Sequence, residues 1–309
     1  MNPSICTVVI PAYNAARHLE ETVSSVLSSS GVSIELIIVD DGSTDSTPAI
    51  LSLMASSNRG ITVITTENAG VSSARNRGLS LVSSPFICFL DADDRVTPNA
   101  LATLCLALES NPEAVAVYGG VQYIDERSRR LSLSKRKFFK KPEVTVTVAS
   151  IMQRNFTDTP GAILFRTAAI KLAGGFDATL LYAEDWEIYI RVARLGPFVY
   201  CGEKVIDYRL HASSAMSNKG LTHHDFEPAL SKVFDKPAEL YGMSAKTLKM
   251  YEYKMRVRIQ EVIILKSKGL RTQWCNVRKI VSILFNSNRE PVLIKATLKG
   301  IFSAMIRVF

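Results

Sequence analysis

The 309-residue chain is expected to be an α/β protein with a mostly parallel central sheet and a helical C-terminal extension. Three observations carry that expectation. Over the first hundred or so residues, short β-branched runs alternate with stretches of helical periodicity, the pattern of strands joined by crossover helices. The composition, 47% hydrophobic and 21% charged, is that of a packed globular protein with a sizeable core. From residue 224 onward only helical periodicity is visible, on a strongly basic background.

The apolar runs place strands at residues 7–10, 35–39, 61–65, 86–90 and 114–118. Between them, Leu19, Val23, Val26 and Leu27 mark one helix face, and Thr47-Pro48 opens a second helix. Residues 72–81 form a third helix and 98–109 a fourth, for which Thr97-Pro98 supplies an N-cap and a first-turn proline. Beyond Gly119 the pattern loosens into an apolar stretch at 162–165, a turn at Gly174-Gly175-Phe176-Asp177, a helix over 183–194 and strands at 198–200 and 205–208. These elements divide the chain into an α/β domain over 1–220, with halves 1–120 and 121–220, and a basic helical region over 221–309.

Charge is unevenly placed. The formal net charge is +8, yet residues 243–309 hold fourteen Lys and Arg against three acids, so the remainder of the chain is slightly acidic. A second basic run, Arg127, Arg129, Arg130, Lys135, Arg136, Lys137, Lys140 and Lys141, contains no acid. Such patches suit nucleic acid, anionic lipid, phosphate-bearing substrates or plain solvation. Residues 291–309 are mostly apolar with Lys295, Lys299 and Arg307 interspersed, which fits an interfacial amphipathic helix or a packing helix better than a membrane span. The five cysteines are scattered and never form CxxC, so no disulfide framework or zinc site is expected and a reducing cytosol fits. The first apolar stretch is short and stops at Pro11, unlike a secretory signal.

The acidic turn Asp91-Ala92-Asp93-Asp94, delivered by the apolar run 86–90, is the strongest chemical signal. Three adjacent carboxylates at a strand end repel one another, and a hard divalent cation such as Mg²⁺ or Mn²⁺, shared with a phosphate, relieves that repulsion. An acidic helix-capping turn is the alternative. Other strand ends add suitable groups: Pro11-Ala12-Tyr13-Asn14 offers a ring and an amide for a flat base, and Asp40-Asp41-Gly42 offers carboxylates in a tight turn. Parallel strands bring such ends to one edge. Arg75, on the third helix, is suited to hold a carboxylate of the cluster or a phosphate oxygen, whereas Arg77 is expected to face solvent.

Residues 8–14, 40–45, 73–78 and 90–94 together resemble the nucleotide-sugar domain of family 2 glycosyltransferases. The resemblance continues in order through Thr159-Pro160-Gly161, Gly174-Gly175-Phe176-Asp177, Ala183-Glu184-Asp185-Trp186-Glu187 and Tyr208-Arg209-Leu210-His211, and covers roughly residues 5–215. It implies a GT-A fold, Rossmann-like, whose first half binds the nucleotide sugar and whose second half builds the acceptor site. By resemblance, Pro11 and Tyr13 line the base pocket, Asp41 contacts the uracil or its equivalent with Asp40 beside it, and Asp91 lies near the ribose. Asp93 falls on the metal position, Asp94 is able to share it, and His211 reaches the metal or the diphosphate. Asp185 matches the base position, and Glu184 is the neighbour able to substitute for it. Asp185 opens a helix whose apolar side would include Ile188, Val192 and Leu195, and the helix N-terminus is expected to keep it ionised.

The implied activity is metal-dependent, inverting transfer of a sugar from a nucleoside diphosphate, most simply UDP, to a hydroxyl of a glycan or lipid-linked acceptor in cell-surface polysaccharide synthesis. Mn²⁺ or Mg²⁺ is the implied cofactor. The basic C-terminal helices would hold the protein at the cytoplasmic face of the membrane or join it into a homodimer, with no nucleic acid involved. A sugar-phosphate nucleotidyltransferase would need a Gly-rich phosphate loop, and residues 11–17 contain no glycine. A dinucleotide oxidoreductase would need GxGxxG after the first strand, which is missing. A membrane-surface binding protein with a degenerate enzyme core is the reading from another class.

Overall fold

The computed structural model describes residues 5–131, 142–211 and 221–266. The elements are β1 (Ile5–Ala12), α1 (Leu19–Leu27), β2 (Ser33–Asp40), α2 (Thr47–Ser57), β3 (Ile61–Thr65), α3 (Val71–Leu81), β4 (Phe86–Phe89), β5 (Arg95–Val96), α4 (Ala100–Glu109) and β6 (Ala116–Ile124). There follow β7 (Thr145–Val146), α5 (Val148–Gln153), β8 (Ile163–Arg166), α6 (Thr167–Leu172), α7 (Glu184–Ala193), β9 (Phe198–Arg209), α8 (Glu227–Phe234) and α9 (Ala245–Lys266). Val8, Val9, Ile10, Ile38 and Val39 are all completely buried, because helices cover both faces of the central strands; this is why these segments are continuously apolar.

The strand order is β3-β2-β1-β4-β8-β6-β9-β5, with β7 against β9. β1, β2, β3 and β4 pair in parallel, as do β6 and β9, while β8 runs antiparallel between β4 and β6. Among the described residues, six of the nine strands therefore share one direction. The fold is thus the expected mixed α/β architecture with its sheet mostly parallel.

Three local expectations need correction. The strands expected at 198–200 and 205–208 are one strand, β9, interrupted by a register shift where Gly202 takes φ 88°. The fourth helix begins at Ala100 rather than Pro98, preceded by Asn99 at φ 62°, because Arg95 and Val96 first pair with β9 and the Thr97 hydroxyl donates to the Lys204 carbonyl at 2.8 Å. Leu195 lies beyond the end of α7 and is exposed, while Ile188 and Val192 are fully buried as expected.

Two glycines set the spacing of the site. Gly42 sits at φ +73°, and a Cβ there would lie 2.8 Å from the Asn68 backbone nitrogen. Gly78 lets α3 lie directly on β1, since a Cβ would come within 2.3 Å of Val9 Cγ1. Alanine at 78 gains about 1 kcal/mol in helix propensity but overpacks a core that has no slack, a cost of about 1–3 kcal/mol. The expected net result for Gly78→Ala is a lower urea midpoint with an unchanged slope, measured by equilibrium unfolding.

The chain separates into two compact units, Met1–Ile151 with Asn155–His211, and Met152–Arg154 with Ala212–Phe309. The described part of the second unit is helical, as expected. Its entry is fixed by a capping box between Thr222 and Asp225. Arg256 on α9 forks onto Glu227 of α8 through two 2.7 Å contacts and also reaches Glu252 at 2.9 Å. No helix among the described residues is long and apolar enough to cross a membrane. The basic residues 135–141 and the amphipathic stretch 291–309 lie outside the described residues.

Candidate active site

The register of the parallel strands brings three loops to one edge: Ala12 pairs with Asp40, and Val9 with Phe89. The first two loops are stitched together by Asn14, whose Oδ1 accepts the Thr44 N–H at 2.8 Å while its own N–H donates to Ser43 Oγ at 2.9 Å. Tyr13 projects from this corner with 52% exposure, above the buried Pro11. The two acids of the second loop are both buried. Asp41 accepts the backbone N–H groups of Ala69 and Gly70 at 2.9 and 2.8 Å, which fixes the loop leading into α3. Asp40 accepts the Ser43 N–H at 3.0 Å through Oδ1, while its Oδ2 is buried without a hydrogen-bond partner.

Arg75 is the joint of the site. Its side chain is buried, and it donates to Asp91 Oδ1 at 2.8 Å and to Glu184 Oε1 at 3.0 Å, with the guanidinium 5.1 Å from the Phe176 ring centre. One cation thus binds the acidic turn after β4 to the first residue of α7, segments more than ninety positions apart. Arg77 is exposed, as expected. Burial raises the Asp91 carboxyl above its usual range and Asp93 adds to this, with Arg75 opposing.

The three acids of the turn have three different surroundings. Asp93 remains accessible and its Oδ2 lies 2.6 Å from His211 Nε2, at the end of β9. Asp94 is turned inward: Oδ1 accepts the Arg209 N–H at 2.9 Å and Oδ2 the Thr159 hydroxyl at 3.2 Å. Burial, then the charges of Asp93 and Asp91, push its carboxyl well up.

Arg209 and Glu21 complete this corner, and sequence reasoning assigned neither a role. The Arg209 guanidinium is fully enclosed and donates to the Asp93 carbonyl at 2.7 Å, to Ser128 Oγ at 2.9 Å and to Glu21 Oε2 at 2.7 Å. Arg95 in turn donates to Glu21 at 2.5 Å and to Asp207 at 2.6 Å. The available signal was the pair Asp207 and Arg209 directly after the apolar Val205 and Ile206, since charges on a buried stretch of strand must be paired. Its partner Glu21 is 188 positions away and carries no local mark. His18, also given no role, has its ring 6.2 Å from that of His211.

Asp185 lies one residue into α7, partly accessible, with Oδ1 accepting the Trp186 N–H at 2.6 Å and Oδ2 the Asn155 amide at 3.1 Å. The expectation that the helix N-terminus keeps it ionised is corrected here. Burial and the adjacent Glu184 charge outweigh the Trp186 and Asn155 hydrogen bonds and the Arg75 charge, and its carboxyl is pushed up to about 7.

The profile of glycosyl transferase family 2 matches residues 7–172, more than half of the chain. The chain belongs to glycosyl transferase family 2. Among curated relatives of this family 2 chain, an uncharacterised glycosyltransferase of Haemophilus influenzae is 27% identical over 225 residues, 70% of this chain and 68% of that protein. Chondroitin synthase of Escherichia coli is 27% identical over 217 residues, 70% of this chain but 30% of the synthase. Two solved structures share the fold. Residues 1–349 of TarS of S. aureus, in complex with UDP-GlcNAc, give a TM-score of 0.61 at 17% identity, covering 84% of this chain and 71% of that one. The mannosyltransferase PcManGT of Pyrobaculum calidifontis, in complex with GDP-Man and Mn²⁺, gives 0.63 at 15% identity, covering 98% and 86%. At these identities the likeness is one of fold, the expected GT-A architecture.

The donor set of this family 2 chain fits a divalent cation only in part. Among the described residues, no group of three or more His, Cys, Asp and Glu side chains is arranged to hold a metal ion. The Asp93 and His211 pair offers one carboxylate oxygen and one imidazole nitrogen at a solvent-accessible position. That is the incomplete set expected where substrate phosphates and water supply the other ligands.

Proposed function

We propose that the chain is a metal-dependent, inverting glycosyltransferase that moves a sugar from a nucleoside diphosphate, UDP in the simplest case, to a hydroxyl of a glycan or glycolipid acceptor in cell-surface polysaccharide synthesis. The observation that carries this reading is the Arg75 bridge. It joins Asp91, beside Asp93 and His211, to Glu184, beside Asp185, so that a diphosphate-facing corner and a proton acceptor share one rigid frame.

In this reading residues 1–220 form the transferase domain, with 1–120 holding the donor and 121–220 the acceptor. Pro11 and Tyr13 flank the base, Asp40 and Asp41 shape its polar edge, and Asp91 faces the ribose. Asp93 and His211 are the residues that would hold Mn²⁺ or Mg²⁺, which would supply positive charge to offset that of the departing diphosphate. Asp94, with both oxygens engaged by Arg209 and Thr159, is assigned to support the turn rather than to ligate. Asp185 takes the proton of the acceptor hydroxyl, whose oxygen then forms the new bond to the anomeric carbon as the bond to the diphosphate breaks. Attack from the side opposite the leaving group inverts that carbon. A carboxyl pushed up to about 7 suits a general base at neutral pH.

Purified protein with Mn²⁺, screened against UDP-, GDP- and other nucleotide sugars, tests the reading. Turnover or binding of one donor, lost on chelation with EDTA, is the expected result. Asp93→Ala is expected to raise the Mn²⁺ concentration needed for half-maximal activity by about tenfold or more, measured by metal titration.

We also assign the basic helical region 221–309 to membrane-surface attachment at the cytoplasmic face, with self-association as the alternative. Lys246, Lys249 and Arg258 are exposed on α9, in keeping with contact to anionic lipid. Sedimentation with anionic vesicles, reversed by high salt, is the expected behaviour, and a monomer that ignores such vesicles would refute it.

A further inference from the structure

Tyr189 lies four residues after Asp185 on α7, one turn along the same face. Helical side chains lean toward the N-terminus, so a residue at this position reaches back toward the turn that carries the carboxylate. The ring is completely buried, stacked on Phe165 and packed against Phe156 and Phe198. These rings offer its hydroxyl nothing to bond, and that hydroxyl is buried without a hydrogen-bond partner.

A buried tyrosine hydroxyl normally finds a partner, and leaving it unmet costs stability that phenylalanine would restore at once. Packing therefore does not explain the oxygen. The charged groups that act on it are those of the proposed site: Asp185 and Glu184 from α7, Arg75 from α3 and Asp91 after β4. Burial and then Asp185 push the phenol well above its ordinary range, so it is a proton donor at every working pH.

We propose that Tyr189 is a positioning residue for the base: its hydroxyl, without a partner in this structure, donates to the Asp185 carboxylate when that group ionises and holds it toward the acceptor hydroxyl. This rests on the reading of Asp185 as the base. Asp185 takes one donor on each oxygen, Trp186 N–H and Asn155 amide, and each oxygen has a lone pair left for a further donor. A phenol O–H bonds a carboxylate more strongly than a neutral carboxyl, so the hydrogen bond favours the charged form.

The test needs no substrate. Melting temperature is followed from pH 5 to 9 for the wild type, Asp185→Asn, Tyr189→Phe and the double variant, and the difference made by Asp185→Asn in each background traces the ionisation of Asp185. The expected result is a midpoint at least about one pH unit higher in the Tyr189→Phe background. Tyr189→Phe should also be no less stable than wild type at pH 5, where the carboxyl is protonated. The acid limb of kcat/KM, read on any donor the wild type turns over, should move by the same amount. Coincident midpoints in the two backgrounds would overturn the inference. A moved midpoint in a protein whose Asp185→Asn variant keeps full turnover would instead overturn the base assignment beneath it.

Discussion

Asp185→Asn is expected to lower kcat by about 10²–10⁴-fold while leaving the affinity for the nucleotide donor unchanged. The same change should stabilise the protein. The folded-state carboxyl is raised from an ordinary 3.8 to about 7, so the folded chain holds a proton that the unfolded chain has released. Stability therefore falls as pH rises from about 4 to 7 and stays reduced above that. Asparagine removes this penalty. Discounted for partial exposure, the gain above pH 7 is about 2 kcal/mol, or roughly 5 °C in Tm, and it fades as pH falls toward 4. Thermal melts at pH 8 and pH 5, beside single-turnover kinetics, check both halves. A variant that is more stable at pH 8 and inactive would show a base whose poise is maintained at the expense of the fold.

Arg75→Ala carries the second large effect. It removes the cation between Asp91 and Glu184 and leaves two carboxylates facing a cavity, which in buried pairs costs about 3–5 kcal/mol. The urea midpoint should drop sharply, and donor binding should fail even where the variant remains folded. The loss should ease at low pH, because protonating the orphaned carboxylates removes their repulsion. Arg75→Lys is expected to recover less than half of the lost stability, since an ammonium cannot fork to two carboxylates held by separate segments. Equal midpoints for Arg75→Lys and wild type would show that charge alone, not the two-armed geometry, is what this position supplies.

The parts of this fold that local pattern reveals are those built from local rules. β1 to β4 were legible because each is an apolar β-branched run bounded by turn residues, and their loops converge because parallel pairing leaves them no other edge. Nothing in residues 163–166 says that β8 inserts antiparallel between β4 and β6, since a short apolar run has the same appearance in either direction. β5 is two residues long and exists only through β9. Within the site, the acidic turn was visible but the separate surroundings of its members were not. Asp93 faces His211 and Asp94 faces Arg209 because β9 returns beside the turn, a contact across more than a hundred residues. Arg75 was singled out correctly as a partner for the acidic cluster, though Glu184 was not foreseen as its second carboxylate. The Asp185 carboxyl was misjudged because the helix end is local and legible, whereas the burial that outweighs it is tertiary.

In the proposed function, the corner formed by Asp91, Asp93 and His211 binds a nucleoside diphosphate together with a divalent cation. Isothermal titration of UDP and of GDP into the intact protein, with Mn²⁺ and then with EDTA, tests it most directly. The expected result is binding of one of them that weakens about tenfold or more on chelation, and to the same degree in Asp93→Ala with Mn²⁺ present. Equal affinity with and without the metal, or no binding of either nucleotide by a folded protein, would contradict it.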